Sequence, residues 1–192
     1  MRFLVPALLL LLLTGVVLAA PAPKAASGHK ASKPPRIETL FSQLAKAGSP
    51  EEARPIEQKI ARLFRQSSSA SVTLLMSRAE SALAAEDAKT ARKLVGAVTT
   101  IAPRYAEGWH VRAGLENQAG DDTAALISLQ RAVQLNPRNF TALFELGAML
   151  EDYGDKKGAL KLYRRALALD PQLEGAARHV KGLERDVEGQ AI

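Results

Sequence analysis

The fold is decided by two consecutive stretches of 34 residues, AEGWHVRAGLENQAGDDTAALISLQRAVQLNPRN (106–139) and FTALFELGAMLEDYGDKKGALKLYRRALALDPQL (140–173). When the second is written under the first, a Gly-Asp pair falls in the middle of both and a proline near the end of both. The small and apolar columns that also align are Ala113/Gly147, Ala125/Ala159, Leu126/Leu160, Ala132/Ala166 and Leu135/Leu169. A period near 34 with this punctuation indicates a helix–turn–helix repeat.

Each half of the repeat has the pattern of an amphipathic helix, because its apolar residues recur at intervals of three and four. The Gly-Asp pair supplies the turn, since glycine accepts a positive φ and aspartate caps the next helix. Pro137 and Pro171 end the second helix, because the residue before a proline is pushed out of the α region. One such hairpin cannot bury its own apolar face, so we expect neighbouring hairpins to stack.

These columns resemble the tetratricopeptide repeat family, whose signature is a large apolar residue, a Gly or Ala, and then Ala, Ala and Pro at set offsets. The same columns continue one period upstream, in residues 72–105. Polar residues stand at some columns that the family fills with Leu or an aromatic residue, so we expect the middle repeat to pack more loosely. The matching residues are Trp109, Leu143, Ala113, Gly147, Ala125, Ala159, Ala132, Ala166, Pro137 and Pro171 in the later repeats and Leu75, Ala79, Ala91, Val98 and Pro103 upstream, and the departures are Arg78, Arg112 and Glu116.

The sequence therefore predicts an all-α fold, an α-solenoid of three repeats (72–105, 106–139 and 140–173) with helical caps at both ends. An N-terminal helical hairpin over 37–71 is expected to cover the first repeat, with Ser49 as an N-cap and Pro50 at the first helical position. A C-terminal capping helix and tail are expected over 174–192. The buried stripe of that capping helix is predicted to be Ala177, Val180, Leu183 and Val187.

The amino terminus has the pattern of a secretory signal peptide over 1–19, with a basic start, an apolar core and small residues before the expected cut after Ala19. Residues 20–36, rich in Ala, Pro, Ser and Lys, are expected to form a flexible basic linker. The predicted signal peptide indicates a periplasmic or secreted protein. The alternative is an uncleaved anchor, although a spanning helix needs about 20 apolar residues.

Charge and composition argue against several functions. The formal net charge is +6, but five basic residues and no acidic ones precede residue 37, so the rest of the chain is nearly neutral. A nucleic-acid-binding domain requires a basic face of its own, so we expect no nucleic-acid partner. The chain has no cysteine, which excludes disulfides, thiol nucleophiles and thiolate metal sites.

No motif in the chain points to catalysis, a metal or a cofactor. The three histidines (His29, His110 and His179) share no local motif, and the paired carboxylates lie where helix capping explains them. There is no phosphate-binding loop and no nucleophile elbow. We expect no enzyme, since one would need a pocket that joins His110 to carboxylates of other helices.

The resemblance implies a concave groove lined by the first helix of each repeat. Family members that clamp a C-terminal carboxylate use Lys, Arg and Asn in those columns, whereas these columns hold four Glu and no Lys or Arg, so we expect an apolar or basic partner segment. The alternative is that the apolar members only pack against the next helix. The groove residues are predicted to be Thr73, Met76, Ser77, Glu80, Leu83, Glu107, His110, Val111, Asn117, Thr141, Phe144, Glu145, Ala148 and Glu151.

The predicted function is that of a non-catalytic adaptor of the bacterial cell envelope, which binds a protein or peptide segment through this groove and acts as a monomer. The alternative is a membrane-anchored structural assembly subunit that retains its N-terminal apolar segment. The chain also resembles small exported tetratricopeptide proteins of alphaproteobacteria with no defined activity. That resemblance implies layout and compartment, and it implies no specific role.

Overall fold

The computed structural model describes residues 36–187 and residue 189, and in this part of the chain the regular structure is entirely helical. The predicted signal peptide and all of the linker except Arg36 lie outside the described residues. No helix within the described part is long and apolar enough to cross a membrane. The helices are α1 (Arg36–Leu44), α2 (Pro50–Phe64), α3 (Ala70–Ala84), α4 (Ala88–Ile101), α5 (Ala106–Gln118), α6 (Asp122–Leu135), α7 (Phe140–Asp152), α8 (Lys156–Leu169) and α9 (Ala176–Val187).

Helices α3 to α8 form three consecutive hairpins that stack along the chain. Within each hairpin α3 packs on α4, α5 on α6 and α7 on α8, while α4 on α5 and α6 on α7 join one hairpin to the next. Helix α9 packs on α8 at the end of the stack. The prediction of an all-α solenoid is therefore confirmed, with α3 beginning two residues before the expected start of the first repeat.

The turn inside each repeat has the same geometry three times. Asp87, Asp121 and Asp155 each accept a hydrogen bond from the backbone N–H three residues later, at 2.9, 3.0 and 2.9 Å. The residue before each aspartate has a positive φ: 74° at Gly120, 84° at Gly154 and 59° at Glu86. The first repeat thus holds a glutamate in a backbone conformation that favours glycine.

Side chains without bulk allow the helices of a repeat to approach each other. The aligned alanines Ala91, Ala125 and Ala159 have no exposed surface. A Cβ placed on Gly147 of α7 would lie only 2.9 Å from the ring of Tyr163 on α8, and that tyrosine is fully buried. The small columns of the repeat therefore mark helix crossings.

The polar residues at interior columns of the middle repeat bond to one another. Glu116 accepts hydrogen bonds from Arg112 Nε at 2.6 Å and from Ser128 Oγ at 2.6 Å. The Arg112 guanidinium also lies 3.4 Å from Thr99 Oγ1 and 5.3 Å from the centre of the Trp109 ring. Because buried polar groups with partners avoid the cost of desolvation, this network replaces the usual apolar contacts between α4, α5 and α6.

The N-terminal hairpin does not cover the first repeat as its place in the sequence predicted. The Phe41 ring lies 6.5 Å from Phe140 in an edge-to-face arrangement and 3.9 Å from the Arg138 guanidinium, which also pairs with Glu38. Apolar residues of α1 and α2 share one buried cluster with Leu129, Leu143, Leu146 and Leu162 of the second and third repeats.

Two further contacts show where the hairpin lies. Gln172 Nε2 donates to the carbonyl of Ala47 at 3.1 Å, and the Tyr105 hydroxyl donates to the carbonyl of Arg65 at 2.7 Å. Tyr105, Arg138 and Gln172 belong to the three connections that follow α4, α6 and α8. The hairpin therefore runs along the edge of the stack where the repeats join.

A pair of carboxyl groups lies within this contact between the hairpin and the stack. Asp170 is fully buried; its Oδ1 accepts from Gln172 N at 3.1 Å, and its Oδ2 has no hydrogen-bond donor among the described residues. Burial and the neighbouring Asp170, which is within hydrogen-bonding reach, raise the pKa of Glu57 to about 7. We expect a proton retained by Glu57 to supply the donor that Oδ2 lacks.

The C-terminal capping helix is present, but its buried stripe differs from the prediction at one position. Ala176 is fully buried while Ala177 is exposed, and Val180, Leu183 and Val187 pack inward as expected. Gly175, with a φ of 80°, sets the direction of the chain just before the helix. The buried stripe of α9 therefore begins at Ala176, one residue earlier than the apolar spacing suggested.

The repeated turn predicts opposite effects of substitution in two repeats. Glu86→Gly is expected to raise the free energy of unfolding by about 1 kcal/mol and Gly120→Ala to lower it by about 1–2 kcal/mol, because a left-handed residue with a Cβ is strained. No atom lies within 4 Å of a Cβ placed on Gly120, so its effect is confined to the backbone. Urea unfolding measures both changes. Ala85→Gly, at a φ of −92°, is the matched control and must not stabilise; stabilisation by Gly120→Ala would contradict the account.

The carboxyl pair predicts that stability depends on pH. The folded state holds a proton on Glu57 up to about pH 7, whereas its ordinary pKa is 4.5, so this stabilisation is complete below pH 4.5 and is lost as pH rises through 7. Glu57→Gln replaces the proton with an amide donor. At pH 8 the free energy of unfolding of the variant should therefore exceed that of the native chain by about 1 kcal/mol, a figure reduced for partial solvent screening.

Thermal and urea unfolding between pH 5 and 8 measure this difference. The advantage of Glu57→Gln should shrink toward pH 5, where the native pair is protonated. Glu80→Gln, which changes an exposed carboxylate on α3, is the control and should leave the pH profile unaltered. A constant offset between Glu57→Gln and the native chain at all pH values is the result that excludes a shared proton.

Candidate partner-binding groove

The residues predicted for the groove lie on α3, α5 and α7, the first helices of the three repeats, but they do not form one continuous surface. Two depressions contain the more accessible ones. The first, here called the α3 depression, has a volume of about 370 Å³ and is lined by Arg65, Thr73, Met76, Ser77, Glu80 and Tyr105. The second, here called the α5–α7 groove, has a volume of about 360 Å³ and is lined by Ala113, Gly114, Asn117, Gln118, Leu129, Glu145, Ala148, Met149 and Asp152.

Most of the apolar residues predicted for the groove pack between helices. Met76 is 5% exposed in a cluster with Val72 and Val98, and Leu83 and Val111 pack against a second cluster around Val95. The Phe144 ring lies 5.2 Å from that of Tyr163 and 5.6 Å from that of His179. Contact with the next helix therefore accounts for the placement of these side chains.

His110 links the second repeat to the third. Its Nε2 lies 2.9 Å from Glu145 on α7, and its Nδ1 lies 3.7 Å from Glu107 on its own helix. Burial lowers the pKa of His110, but hydrogen bonds and attraction from Glu107 and Glu145 outweigh it and raise the pKa to about 10. The ring therefore lies between two carboxylates, with Glu145 at hydrogen-bonding distance and Glu107 farther away.

The same ring is poorly placed for acid–base chemistry. Asn139, whose side-chain oxygen caps α7, has its Nδ2 3.3 Å from His110 Nδ1 and can donate to it only when the ring is neutral. Both ring nitrogens thus face protein groups, which leaves neither of them directed toward a substrate. Within residues 36–187, no group of three or more His, Cys, Asp or Glu side chains could hold a metal ion.

A second histidine–glutamate pair holds the capping helix. Glu151 of α7 accepts from the Tyr163 hydroxyl at 2.9 Å and lies 2.8 Å from His179 Nδ1 on α9. Burial and the hydrogen bond to Glu151 raise the pKa of the Tyr163 hydroxyl, so it stays protonated and donates. Glu151 therefore belongs to the packing of α7, α8 and α9.

The α5–α7 groove has the features of a surface that can accept a peptide backbone. Its walls include Gly114 and Ala148, and a Cβ on Gly114 would meet no atom within 4 Å. Asn117 and Gln118 supply amide groups at one wall, and Asp152 supplies a carboxylate. No lysine or arginine is among its lining residues, so its electrostatic character is acidic.

The α3 depression is formed partly by the hairpin, which sequence reasoning did not foresee. Arg65 follows α2, and its carbonyl accepts from Tyr105 in the connection before α5. Burial, Glu107 and Glu80 raise the pKa of Tyr105 to about 12, so its hydroxyl remains a donor. Thr141, the remaining predicted residue, is exposed at the start of α7.

Several lining residues of the α5–α7 groove were missed, although the repeat contains the signal for them. Gly114 stands in the same repeat column as Ala148, and Gln118 in the same column as Asp152. Reading the column of the predicted Ala148 across both repeats would have added Gly114, whereas neither Gln118 nor Asp152 was predicted, so their column offered no such lead. Leu129 and Met149 could not be found in this way, because Leu129 belongs to α6, a second helix, and the repeat column of Met149 holds no other lining residue.

Comparison with known proteins agrees with this geometry. The family model of the tetratricopeptide repeat matches residues 140–173, the repeat formed by α7 and α8. A TPR repeat-containing protein of Rhizobium etli, an alphaproteobacterium, is 29% identical over 154 residues, which are 80% of this chain and 76% of that protein.

Two solved structures show the extent of the likeness. The first TPR of Spaghetti (RPAP3), bound to the HSP90 peptide SRMEEVD, has a TM-score of 0.55 at 18% identity and covers 61% of this chain and 93% of that chain. A mutant O-GlcNAc transferase of Thermobaculum terrenum has a TM-score of 0.53 at 26% identity and covers 60% of this chain. The chain spans only 22% of the length of that transferase.

The matched model describes a repeat and not an enzyme family, and stacked repeats of this kind form extended surfaces that bind other proteins. The helical stack, the repeated Asp caps and the columns of small residues are its structural counterpart in this chain. Residues 140–173 therefore match the tetratricopeptide repeat, and the described part of the chain is an all-helical stack like the solenoids of such repeats that it resembles.

Proposed function

We propose that the protein is a non-catalytic adaptor of the bacterial cell envelope, and that the α5–α7 groove binds an apolar or basic segment of a partner protein. The observation that carries the proposal is the composition of this groove: small side chains on the walls, an apolar floor and carboxylates without lysine or arginine. Gly114 and Ala148 leave room for a backbone, and Asn117 can hydrogen-bond to it.

Charge determines which segment fits. Glu145 and Asp152 line the groove, and Glu145 is only partly neutralised by His110, with which Glu107 also pairs. The peptide held by the Spaghetti TPR domain ends in two glutamates, a valine and an aspartate. Such an acidic terminus would meet like charge in this groove, so the proposed partner segment is apolar or basic.

Filling the groove at Gly114 tests the proposal directly. A Cβ on Gly114 meets no atom within 4 Å, so Gly114→Tyr can direct a ring into the groove, and it should weaken binding of a short amphipathic Lys-Leu peptide at least tenfold, which corresponds to about 1.4 kcal/mol. Fluorescence anisotropy with residues 20–192 measures the affinity. Gly114→Ala should bind the peptide with an affinity within twofold of that of the native chain. Its free energy of unfolding should be higher by about 0.5–1 kcal/mol, because glycine weakens a helix interior.

A matched variant separates blocking from a general effect of an added ring. Gly182 on α9 also has no atom within 4 Å of an added Cβ, and it lies outside the groove. Gly182→Tyr should therefore bind the Lys-Leu peptide as the native chain does. Equal loss of binding in Gly114→Tyr and Gly182→Tyr, or unimpaired binding in both, would reject the α5–α7 groove as the binding surface.

The proposed envelope location rests on the sequence of residues 1–19 and has its own test. The protein expressed from its full sequence in an alphaproteobacterium should be recovered from the periplasm or medium with a mass that corresponds to loss of the first 19 residues. Mass spectrometry of the purified chain decides this. An intact amino terminus in the membrane fraction would instead support the anchored assembly subunit.

A further inference from the structure

The far end of the stack carries a second groove, of the opposite charge, which the adaptor proposal does not use. It lies between α8 and the carboxyl end of α9 and has a volume of about 460 Å³. Its apolar surface comes from Leu160, Ala168 and Val187. Its remaining lining residues are all basic, and they belong to α8. This surface is called the terminal groove below.

Among the described residues, α9 supplies a carboxylate to only one of the four basic residues that line the terminal groove, Arg164. Glu184 pairs with Arg164 at 2.8 Å, and Asp186 pairs with Lys156 at 2.6 Å. Lys157, Lys161 and Arg165 have no ion-pair partner within the described part of the chain. Three cations therefore border one apolar surface, and no carboxylate of the described residues forms an ion pair with them.

The spacing of the three cations is that of a single helical stripe. Lys157, Lys161 and Arg165 are four residues apart, so they point in the same direction along about 12 Å of α8. Leu160 is 4% exposed and forms a floor beside them, and Val187 closes the groove from α9. A row of positive charge beside an apolar floor is complementary to an amphipathic helix with carboxylates along one edge.

We propose that the terminal groove binds an acidic amphipathic segment of a partner protein, with its carboxylates on Lys157, Lys161 and Arg165 and its apolar side chains over Leu160 and Val187. The α5–α7 groove is acidic and the terminal groove is basic, so the two select partners of opposite charge. The chain can then hold two different proteins at once. The binding of an acidic segment stands on the terminal groove alone, whereas the simultaneous binding of two proteins rests on the proposed function.

Charge reversal on α8 gives the first test. The probe is a fluorescein-labelled peptide of repeated Glu-Glu-Leu-Leu, titrated with residues 20–192 at low salt and followed by anisotropy. The double variant Lys157→Glu/Lys161→Glu should bind at least tenfold more weakly, since each exposed pair contributes up to about 1 kcal/mol. Lys89→Glu/Lys93→Glu changes the same two repeat columns on α4, and it should bind within twofold of the native chain.

A second variant tests the apolar floor without a change of charge. Ala168 is exposed in the groove, so Ala168→Tyr should fill the groove. Binding of the Glu-Glu-Leu-Leu peptide should weaken at least fivefold, while the helical circular dichroism stays unchanged. A peptide with Ser in place of Leu should lose binding by a similar factor. The Lys-Leu peptide, which probes the α5–α7 groove, should be unaffected by Ala168→Tyr.

Three results would overturn the proposal. Equal weakening by the α4 and α8 double variants would show that only general surface charge attracts the peptide. Binding of phosphatidylglycerol vesicles that depends on Lys157 and Lys161, with no binding of the peptide, would make the groove a lipid-headgroup site. Strong peptide binding only by a chain ending at Val187 would show that the last residues of the protein itself occupy the groove.

Discussion

The solenoid depends on the close approach of helix axes, which small side chains at the crossings permit. The buried alanine column and the contact of Gly147 with the Tyr163 ring set the distance between the helices of each repeat. Because the axes are close, each hairpin presents a regular apolar face to the next and cannot bury that face alone. The stack consequently needs a cover where it ends. Helix α9 supplies it, and its His179 ring contacts Phe144 of α7 and Tyr163 of α8.

The N-terminal hairpin has a different role from that of an ordinary cap. By following the edge where the repeats join, it fixes three connections relative to each other through Tyr105, Arg138 and Gln172. That position leaves the α5–α7 groove open, and it contributes Arg65 to the α3 depression. Rigid repeats with an accessible groove are what an adaptor requires, because a surface held in place loses little conformational entropy when it binds a partner.

The sequence was sufficient for those parts of the fold that local chemistry determines. The Gly-Asp turns, the Ser49 cap and the small-residue columns follow from interactions within a few residues. It was insufficient where distant segments meet. The ion pair of Arg138 with Glu38 joins residues that are 100 positions apart, and the period of the repeats does not predict it. The Arg112–Glu116–Ser128 network was likewise invisible, since its members appeared only as misplaced polar residues.

The candidate site was predictable to a similar degree. Helical spacing fixes which residues share a face, and Asn117, Glu145 and Ala148, which the repeat columns select, all line the α5–α7 groove. They could not distinguish a side chain that faces solvent from one that reaches the next helix, as Met76 and Phe144 do. Nor could they reveal the terminal groove, which exists only because α9 ends beside the basic stripe of α8.

The most direct measurement of the central claim is a map of the binding surface by nuclear magnetic resonance. Amide resonances of residues 20–192 should be assigned and followed as the Lys-Leu peptide is added. The account predicts that the largest shifts cluster at Gly114, Asn117, Gln118, Ala148 and Asp152, with the helical signals otherwise unchanged. Shifts that spread over the N-terminal hairpin or over α8 and α9, and spare the α5–α7 groove, would contradict it.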